Sequence, residues 1–127
     1  MIKDGIYMKT VLIVDDVAGV REVLHDFLAM QGYRIIEADN GVSALQVLET
    51  ESPDLAIVDI EMPRMNGLEF AQHAAEKNPD LPVIIISAYL EKYSMEYIRS
   101  LGVKRILRKP INLVQLGEEI KQTFAEV

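Results

Sequence analysis

Five short strand-like runs alternate with segments of helical periodicity along this chain, and this alternation constrains its fold more than any other feature. The runs lie at residues 11–14, 34–38, 55–58, 83–86 and 105–108. Runs such as 11–14 and 83–86 are apolar and rich in β-branched residues throughout, which is typical of strands buried on both faces of a parallel sheet. Strict alternation with short connections predicts right-handed strand–helix–strand units and an α/β fold.

Each predicted strand is followed by a predicted amphipathic helix, which gives five helices in total. In the first helix Val20, Leu24 and Leu28 recur at helical spacing, and Gly32 marks its end. The predicted helices cover residues 18–31, a second segment that Asp39 or Asn40 caps and Ser52-Pro53 ends, a third that Asn78-Pro79 ends, residues 91–101, and a fifth that starts near Leu113 and reaches the C-terminus. No repeat, linker or low-complexity tract interrupts this pattern.

The size of the chain matches one domain. Its 127 residues, half of them hydrophobic, are enough to bury a core without further support. We expect this domain to span residues 8–127, because Met8 stands just before the first strand, and residues 1–7 to be an N-terminal extension. The net charge of −7 argues against direct nucleic acid binding, which needs clustered Lys and Arg.

The lack of cysteine limits the kind of metal site, and the lack of long apolar runs bears on the compartment in which we expect the protein. The chain has no cysteine, which excludes a disulfide framework and a thiolate metal site. Its N-terminus lacks the apolar region of a signal peptide, and no apolar run approaches the roughly 20 residues that span a bilayer. We therefore expect a soluble, cytoplasmic protein without a membrane partner.

Polar side chains stand at the C-terminal ends of four predicted strands: Asp15-Asp16, Asp59, Ser87 and Lys109. Because open parallel α/β sheets bind ligands outside the carboxyl ends of their strands, we expect these four sites to meet in one acidic pocket. Asp15-Asp16 taken alone has an equally good explanation as a cap of the helix that follows it. Asp59 taken alone could face solvent, but the loop after it is shaped by Pro63 and Gly67.

These residue types suit a divalent cation and a phosphoryl group. Three carboxylates brought together repel one another unless a hard cation neutralises them, and Mg²⁺ is commonly held by one or two carboxylates together with a phosphate. Asp59 is the best placed of the acids to attack a phosphoryl group and form an aspartyl phosphate. Lys109 could pair with Asp59 at rest and with a phosphoryl oxygen afterwards, and Ser87 could hydrogen-bond another oxygen.

The chain resembles the receiver domains of two-component response regulators from Met8 to Val127. Five segments carry the resemblance, in the family order and with family-like spacing: Val14-Asp15-Asp16, Val58-Asp59, Met62-Pro63-Arg64-Met65-Asn66-Gly67, Ser87-Ala88 and Lys109-Pro110. The resemblance implies a flavodoxin-like, doubly wound (βα)5 sandwich, whose strand order 2-1-3-4-5 is carried over from the family. It also implies a cis peptide bond between Lys109 and Pro110.

The resemblance further implies how the acids divide their roles. Asp59 would accept a phosphoryl group from the phosphohistidine of a sensor histidine kinase or a phosphotransfer protein. The side chains of Asp16 and Asp59 and the backbone carbonyl of Glu61 would bind Mg²⁺, while Asp15 would act through water.

Ser87 and Lys109 would contact the phosphoryl group in a chain of this family. The implied function is a phosphorylation-dependent signalling switch in a phosphorelay, which makes the chain a signalling domain rather than an enzyme. Phosphorylation would change the surface formed by helix 4, strand 5 and helix 5, and so control a partner protein or an output domain.

Two alternatives stay open, and one of them rests on a position that departs from the family pattern. Many receivers carry Tyr or Phe where this chain has Ile106, and that ring swings inward on phosphorylation, whereas Ile has no ring or hydroxyl for such a switch. The first alternative is an interaction module that keeps the pocket but signals without phosphate. A phosphatase of another α/β family would also use an Asp nucleophile and Mg²⁺, but the second acid of such enzymes is only loosely matched by Glu61.

Three tyrosines, Tyr89, Tyr93 and Tyr97, recur at steps of four in the predicted fourth helix, which would place them along one face. Such a stripe can be plain packing, or it can form a docking face with Ile106 and the fifth helix, since Tyr is favoured at interfaces. The basic residues around the fifth strand either add to this face or form weak surface pairs with nearby acids.

Overall fold

The computed structural model describes residues 2–3 and 6–126 and confirms the predicted α/β architecture. Five strands and five α-helices alternate: β1 (Thr10–Val14), α1 (Ala18–Met30), β2 (Arg34–Ala38), α2 (Gly41–Thr50), β3 (Leu55–Asp59), α3 (Gly67–Lys77), β4 (Val83–Ser87), α4 (Met95–Ser100), β5 (Arg105–Arg108) and α5 (Leu113–Ala125). These five strands pair in parallel in the order β2-β1-β3-β4-β5, which is the order 2-1-3-4-5 that the resemblance implies.

Outside this sheet, Ile2–Lys3 and Ile6–Tyr7 form a short antiparallel pair. Residues 1, 4, 5 and 127 lie outside the described residues, so the division into an extension of 1–7 and a domain of 8–127 stays a prediction. Among residues 2–3 and 6–126, no helix has the length and apolarity needed to cross a bilayer.

The apolar runs become strands because both of their faces are covered. Every residue of β1, β3 and β4 is buried, as expected for central strands of a parallel sheet. Successive side chains point to opposite faces, so Leu12 and Ile85 join one core cluster with the helices α2 and α3, while Ile13 and Ile84 join the other with α1 and α5. The sheet therefore packs between two apolar layers, one on each face.

Side-chain caps begin most of the helices. The second helix is capped by Asn40 rather than Asp39, because the Asn40 carboxamide oxygen accepts the Ser43 N–H at 2.9 Å. Asn66 and Glu69 form a reciprocal capping box at the start of α3. The loop after β3 therefore ends at a well-capped helix, α3.

The fourth helix differs from the prediction of a continuous helix over residues 91–101. A 3₁₀ turn (Leu90–Lys92) comes first, Tyr93 is extended, and α4 begins only at Met95. The Ser94 hydroxyl accepts the Tyr97 N–H at 3.1 Å and so starts a new helix at that point. The expected tyrosine stripe on one helix face is therefore wrong, since Tyr97 alone of the three tyrosines lies in α4.

A glycine at the start of α3 fixes the distance between this helix and the end of β3. A Cβ added to Gly67 would overlap the carbonyl oxygen of Asp59, whereas a Cβ on Gly19 in α1 would meet nothing within 4 Å. Only Gly therefore allows the two backbone segments to approach this closely.

We expect Gly67→Ala to lower the free energy of unfolding by at least about 2 kcal/mol, because overpacking against backbone cannot be relieved by a rotamer change. The matched change Gly19→Ala should instead raise stability by about 0.5–1 kcal/mol, as Ala restricts the unfolded chain. Urea unfolding of both variants measures this difference. Equal stabilities of the two variants would contradict the close approach.

Candidate functional site

The predicted acids and the predicted lysine meet in one pocket at the carboxyl ends of the strands. The Lys109 Nζ atom lies 3.0 Å from Asp15 Oδ2 and 3.3 Å from Asp59 Oδ2. Asp15 and Asp59 are buried, while Asp16 is exposed. Each of the three acids offers a carboxylate oxygen within 4.8 Å of the others.

Strand register explains why residues so far apart in sequence meet. Val14 of β1 is paired with Val58 of β3, so the acids that follow these two residues leave the sheet side by side. Ser87 of β4 is paired with Arg108 of β5, and the Lys109 N–H donates to the Ser87 carbonyl at 2.9 Å. The expected cis bond between Lys109 and Pro110 is present at this point of the chain.

Burial and the Lys109 ammonium change the pKa of Asp59 in opposite directions. Burial of Asp59 raises its pKa to about 6, and although the Lys109 ammonium counteracts this effect, the neighbouring Asp15 and Glu61 carboxylates add to it. For Lys109, burial alone would lower the pKa, but its bonds to Asp15 and Asp59 outweigh burial and raise the pKa. One ammonium therefore does not fully compensate the acids around it.

Asp15 combines a structural role with its place in the pocket. Its Oδ1 atom accepts the Val17 N–H at 2.9 Å, and its Oδ2 atom is bound to Lys109. The side chain thus supports the first turn before α1, although Val17 rather than an acid occupies the N-cap position. The expectation that this pair caps the helix is wrong, because no side chain caps α1. Both oxygens of Asp15 already have a protein partner.

The residues of the pocket fit a bound Mg²⁺ ion. Asp59 Oδ1 is buried and has no hydrogen-bond partner in the described part of the chain, so it is available to a cation or an electrophile. Asp15, Asp16, Asp59 and Lys109 sum to a formal charge of −2, from three carboxylates and one ammonium, which a divalent cation would balance. The Glu61 carbonyl as a ligand, and the predicted roles of the individual acids, stay predictions.

Ser87 is buried at the end of β4, and its hydroxyl is engaged by a residue outside the acidic cluster. The Ser87 Oγ atom lies 2.8 and 3.0 Å from the two carboxylate oxygens of Glu61, to which it donates, and it accepts the Tyr89 N–H at 2.9 Å. The Tyr93 hydroxyl also donates to Glu61, at 2.7 Å. Burial, followed by this bond to Glu61, raises the pKa of Tyr93 to about 12.

Two residues that contact the site were not found from the sequence. Tyr93 was assigned to a helical stripe, and only the fold shows that it reaches Glu61, 32 positions earlier in the chain. Arg21 of α1 donates to the backbone carbonyl of Asp15 at 2.6 Å and pairs with Glu37 at 3.2 Å. Neither contact has a local sequence pattern, because each depends on how a loop or helix packs against a distant strand.

Two of the basic residues around β5, Arg105 and Arg108, form ion pairs with nearby acids, as one of the two interpretations expected. Arg105 pairs with Glu119 at 2.8 Å and with Glu126 at 2.6 Å, both in or beside α5. Arg108 pairs with Glu91 at 3.1 Å, but both side chains are largely exposed and this pair contributes little stability.

Comparison with known proteins gives one consistent answer. The family model of the response regulator receiver domain matches residues 11–121. The chain is 31% identical over 112 residues to sporulation initiation phosphotransferase F of Bacillus subtilis, which covers 88% of this chain and 90% of that relative. It is 38% identical over 103 residues to the Regulator of RpoS of Escherichia coli, which covers 81% of this chain but only 31% of the relative.

Solved structures share the fold as well as the sequence pattern. A CheY-like receiver domain from Methanospirillum hungatei has a TM-score of 0.88 at 29% identity, over 94% of this chain and 96% of that one. The response regulator TrrA of Thermotoga maritima, in complex with Mg(2+)-BeF, has a TM-score of 0.82 at 36% identity, over 91% of this chain and 98% of that one.

The raised pKa of Asp59 predicts how stability depends on pH. The folded protein holds a proton on Asp59 up to about pH 6, whereas the ordinary value is 3.8, so the folded state binds more protons between these values and the protein loses stability as pH rises through them. Without divalent cations at pH above about 7, Asp59→Asn should therefore be more stable than the parent by about 1–3 kcal/mol.

Urea unfolding across this pH range measures the difference, which should nearly vanish at about pH 4 because the parent is then protonated at Asp59. The exposed Asp26 of α1 provides a matched control, since Asp26→Asn removes the same charge from the surface. A difference that did not change with pH, or a less stable Asp59→Asn, would contradict the charge balance described for the pocket.

Proposed function

We propose a function for this chain from one premise, which is that it belongs to the response regulator receiver domain family. The chain is accordingly a signalling domain of two-component type. Within that class, we propose that it is a phosphorylation-dependent switch and that Asp59 is the phosphoacceptor. The observation that carries this proposal is the Oδ1 atom of Asp59, which is buried beside the Lys109 ammonium and has no hydrogen-bond partner within residues 2–3 and 6–126.

The proposed reaction transfers a phosphoryl group from a phosphohistidine to Asp59. A carboxylate oxygen of Asp59 attacks phosphorus, an O–P bond forms, the P–N bond breaks, and its electron pair remains with the histidine nitrogen. The donor would be a sensor histidine kinase or a phosphotransfer protein in the cytoplasm. The protein contributes a positioned nucleophile and charges around it, rather than turnover of a separate substrate.

Mg²⁺ would be held by the side chains of Asp16 and Asp59 and by the Glu61 carbonyl, with Asp15 acting through water. Two observations support this division: Asp59 Oδ1 has no partner among the described residues, while both Asp15 oxygens are already bound by protein groups. The cation supplies positive charge that offsets the acids and the phosphoryl oxygens. A similar response regulator, TrrA, was solved with Mg(2+)-BeF.

Lys109 and Ser87 would bind the oxygens of the transferred group. Lys109 already bridges Asp15 and Asp59, so its ammonium can keep one carboxylate and exchange the other for a phosphoryl oxygen with little movement. Ser87 ends the strand next to β3, and its hydroxyl can donate to a second oxygen once it leaves Glu61.

The output of this switch would pass through the surface of α4, β5 and α5 to a downstream protein or an output domain. The chain spans 90% of sporulation phosphotransferase F but 30–31% of a cyclic di-GMP phosphodiesterase of Thermotoga maritima and of the Regulator of RpoS. Relatives of both kinds exist, so both a separate protein partner and a covalently attached output domain fit this proposal.

A module that signals without phosphate is the second candidate, and Ile106 is the observation that favours it. Ile106 is half-buried and packs against the core cluster beneath α3 and α4, where its side chain has no polar group to reorganise. Such a module would keep the acidic pocket, so only phosphorylation itself separates the two candidates.

We expect intact-mass measurement after incubation with acetyl phosphate and Mg²⁺ to show one phosphoryl adduct. The adduct should be absent from Asp59→Asn and greatly reduced without Mg²⁺, because the acidic pocket would then repel the donor. Asp26→Asn, with the same chemical change on the surface of α1, should keep the adduct.

Rapid hydrolysis is controlled by repeating the reaction with a phosphorylated histidine phosphotransfer protein and by quenching at short times. An adduct that persisted in Asp59→Asn would show that another residue is the acceptor. No adduct with either donor, together with normal Mg²⁺ binding, would favour the module that signals without phosphate.

A further inference from the structure

A chain of hydrogen bonds joins the end of β4 to the residues before α4. Ser87 donates to the Glu61 carboxylate at 2.8 and 3.0 Å, and Tyr93 donates to the same carboxylate at 2.7 Å. The Tyr89 N–H closes the loop by donating to Ser87 Oγ at 2.9 Å. We call Ser87, Glu61 and Tyr93 the hydroxyl relay, because two hydroxyls meet on one carboxylate.

Glu61 and a phosphoryl group on Asp59 would compete for the single proton of the Ser87 hydroxyl. A serine hydroxyl has one proton to donate, and in this structure it is donated to Glu61. A phosphoryl group on Asp59 offers only acceptors to Ser87, so Ser87 can donate to it only by releasing Glu61. The half-buried Glu61 carboxylate then keeps the Tyr93 hydroxyl as its donor within the relay.

Tyr93 links the Glu61 carboxylate to the residues around α4. Its ring packs against the same apolar cluster as Met95 and Ile106, while its extended backbone separates the 3₁₀ turn at Leu90–Lys92 from the six-residue helix Met95–Ser100. A short helix has few hydrogen bonds of its own, so its placement depends on such anchors. Movement of Glu61 would therefore reach α4 through the phenol.

We propose that Tyr93 is a positioning residue for the phosphoryl switch: its hydroxyl stays bonded to the Glu61 carboxylate when Ser87 turns away, and thereby supports capture of Ser87 by a phosphoryl group on Asp59. This inference rests on the proposed function of Asp59. It assigns the link between the pocket and α4 to Tyr93 and not to residue 106, whose aliphatic side chain forms no hydrogen bond.

The test is Tyr93→Phe, which keeps the ring and removes only the hydroxyl. Tyr97→Phe is the matched control, because Tyr97 lies in α4 and is 51% exposed. Beryllofluoride with Mg²⁺ serves as the probe, since it places a phosphoryl-like group on a carboxylate without turnover. Its equilibrium dissociation constant is measured for the parent and for each variant.

We expect Tyr93→Phe to bind beryllofluoride about threefold to tenfold more weakly than the parent, because release of Ser87 would then leave the half-buried Glu61 carboxylate without a donor from the relay. On saturation with the probe, the backbone amide signals of residues 89–100 should also shift less than in the parent, since Tyr93 no longer links Glu61 to α4. Tyr97→Phe should change neither quantity. Equal affinities of the two variants, or tighter binding by Tyr93→Phe, would overturn the inference.

A merely structural role of Tyr93 is separated by a double-mutant cycle with Ser87→Ala. If Tyr93 acts through the Ser87 hydroxyl, the loss of affinity from Tyr93→Phe should disappear in the Ser87→Ala background. A loss that survived there would show that Tyr93 acts on the fold alone. If the parent itself bound no beryllofluoride and accepted no phosphoryl group, the proposed function would fail and the inference with it, whereas normal binding with no effect of Tyr93→Phe would overturn the inference alone.

Discussion

The contact of one lysine with two buried carboxylates determines how the functional end of this sheet is built. A buried charge without a partner costs several kcal/mol, and Asp15 and Asp59 are almost fully buried. Lys109 reaches both at 3.0 and 3.3 Å, which requires that the ends of β1, β3 and β5 lie at one edge of the sheet. The strand order and the position of the pocket are thus parts of the same arrangement.

This compensation is incomplete, and the deficit has a chemical consequence. The pKa of Asp59 lies well above its ordinary value even with Lys109 beside it, because burial and two neighbouring acids oppose its charge. A fully neutral pocket would gain little from a cation, whereas a divalent ion bound by the oxygens of this pocket would stabilise the folded state. The incomplete compensation of their charge leaves the carboxylates of this pocket able to bind a cation.

Most of the fold and of the pocket could be predicted from the sequence, because their signals are local. Buried parallel strands are continuous apolar runs, and the residue after each run lies at the ligand-binding edge, so the sequence alone predicts Asp59 and Lys109 as pocket residues. The predicted fourth helix is too long, since Ser94 starts a helix within a segment that also has helical spacing. Tyr93 could not be assigned, because its partner Glu61 belongs to another loop.

The hydroxyl relay alone cannot drive a complete switch. Moving a two-state equilibrium from 1:99 to 99:1 needs about 5.5 kcal/mol, while a hydrogen bond to a charged group contributes about 1.5–3 kcal/mol. When the Ser87 hydroxyl donates to a phosphoryl oxygen instead of to Glu61, one hydrogen bond to a charged group replaces another. The net contribution of this exchange is therefore small. Under the proposed function, the larger share would come from contacts that exist only with the phosphoryl group, those of Lys109 and of the cation. Ser87, Glu61 and Tyr93 would then determine which part of the surface changes, and Lys109 and the cation would determine how far the equilibrium shifts.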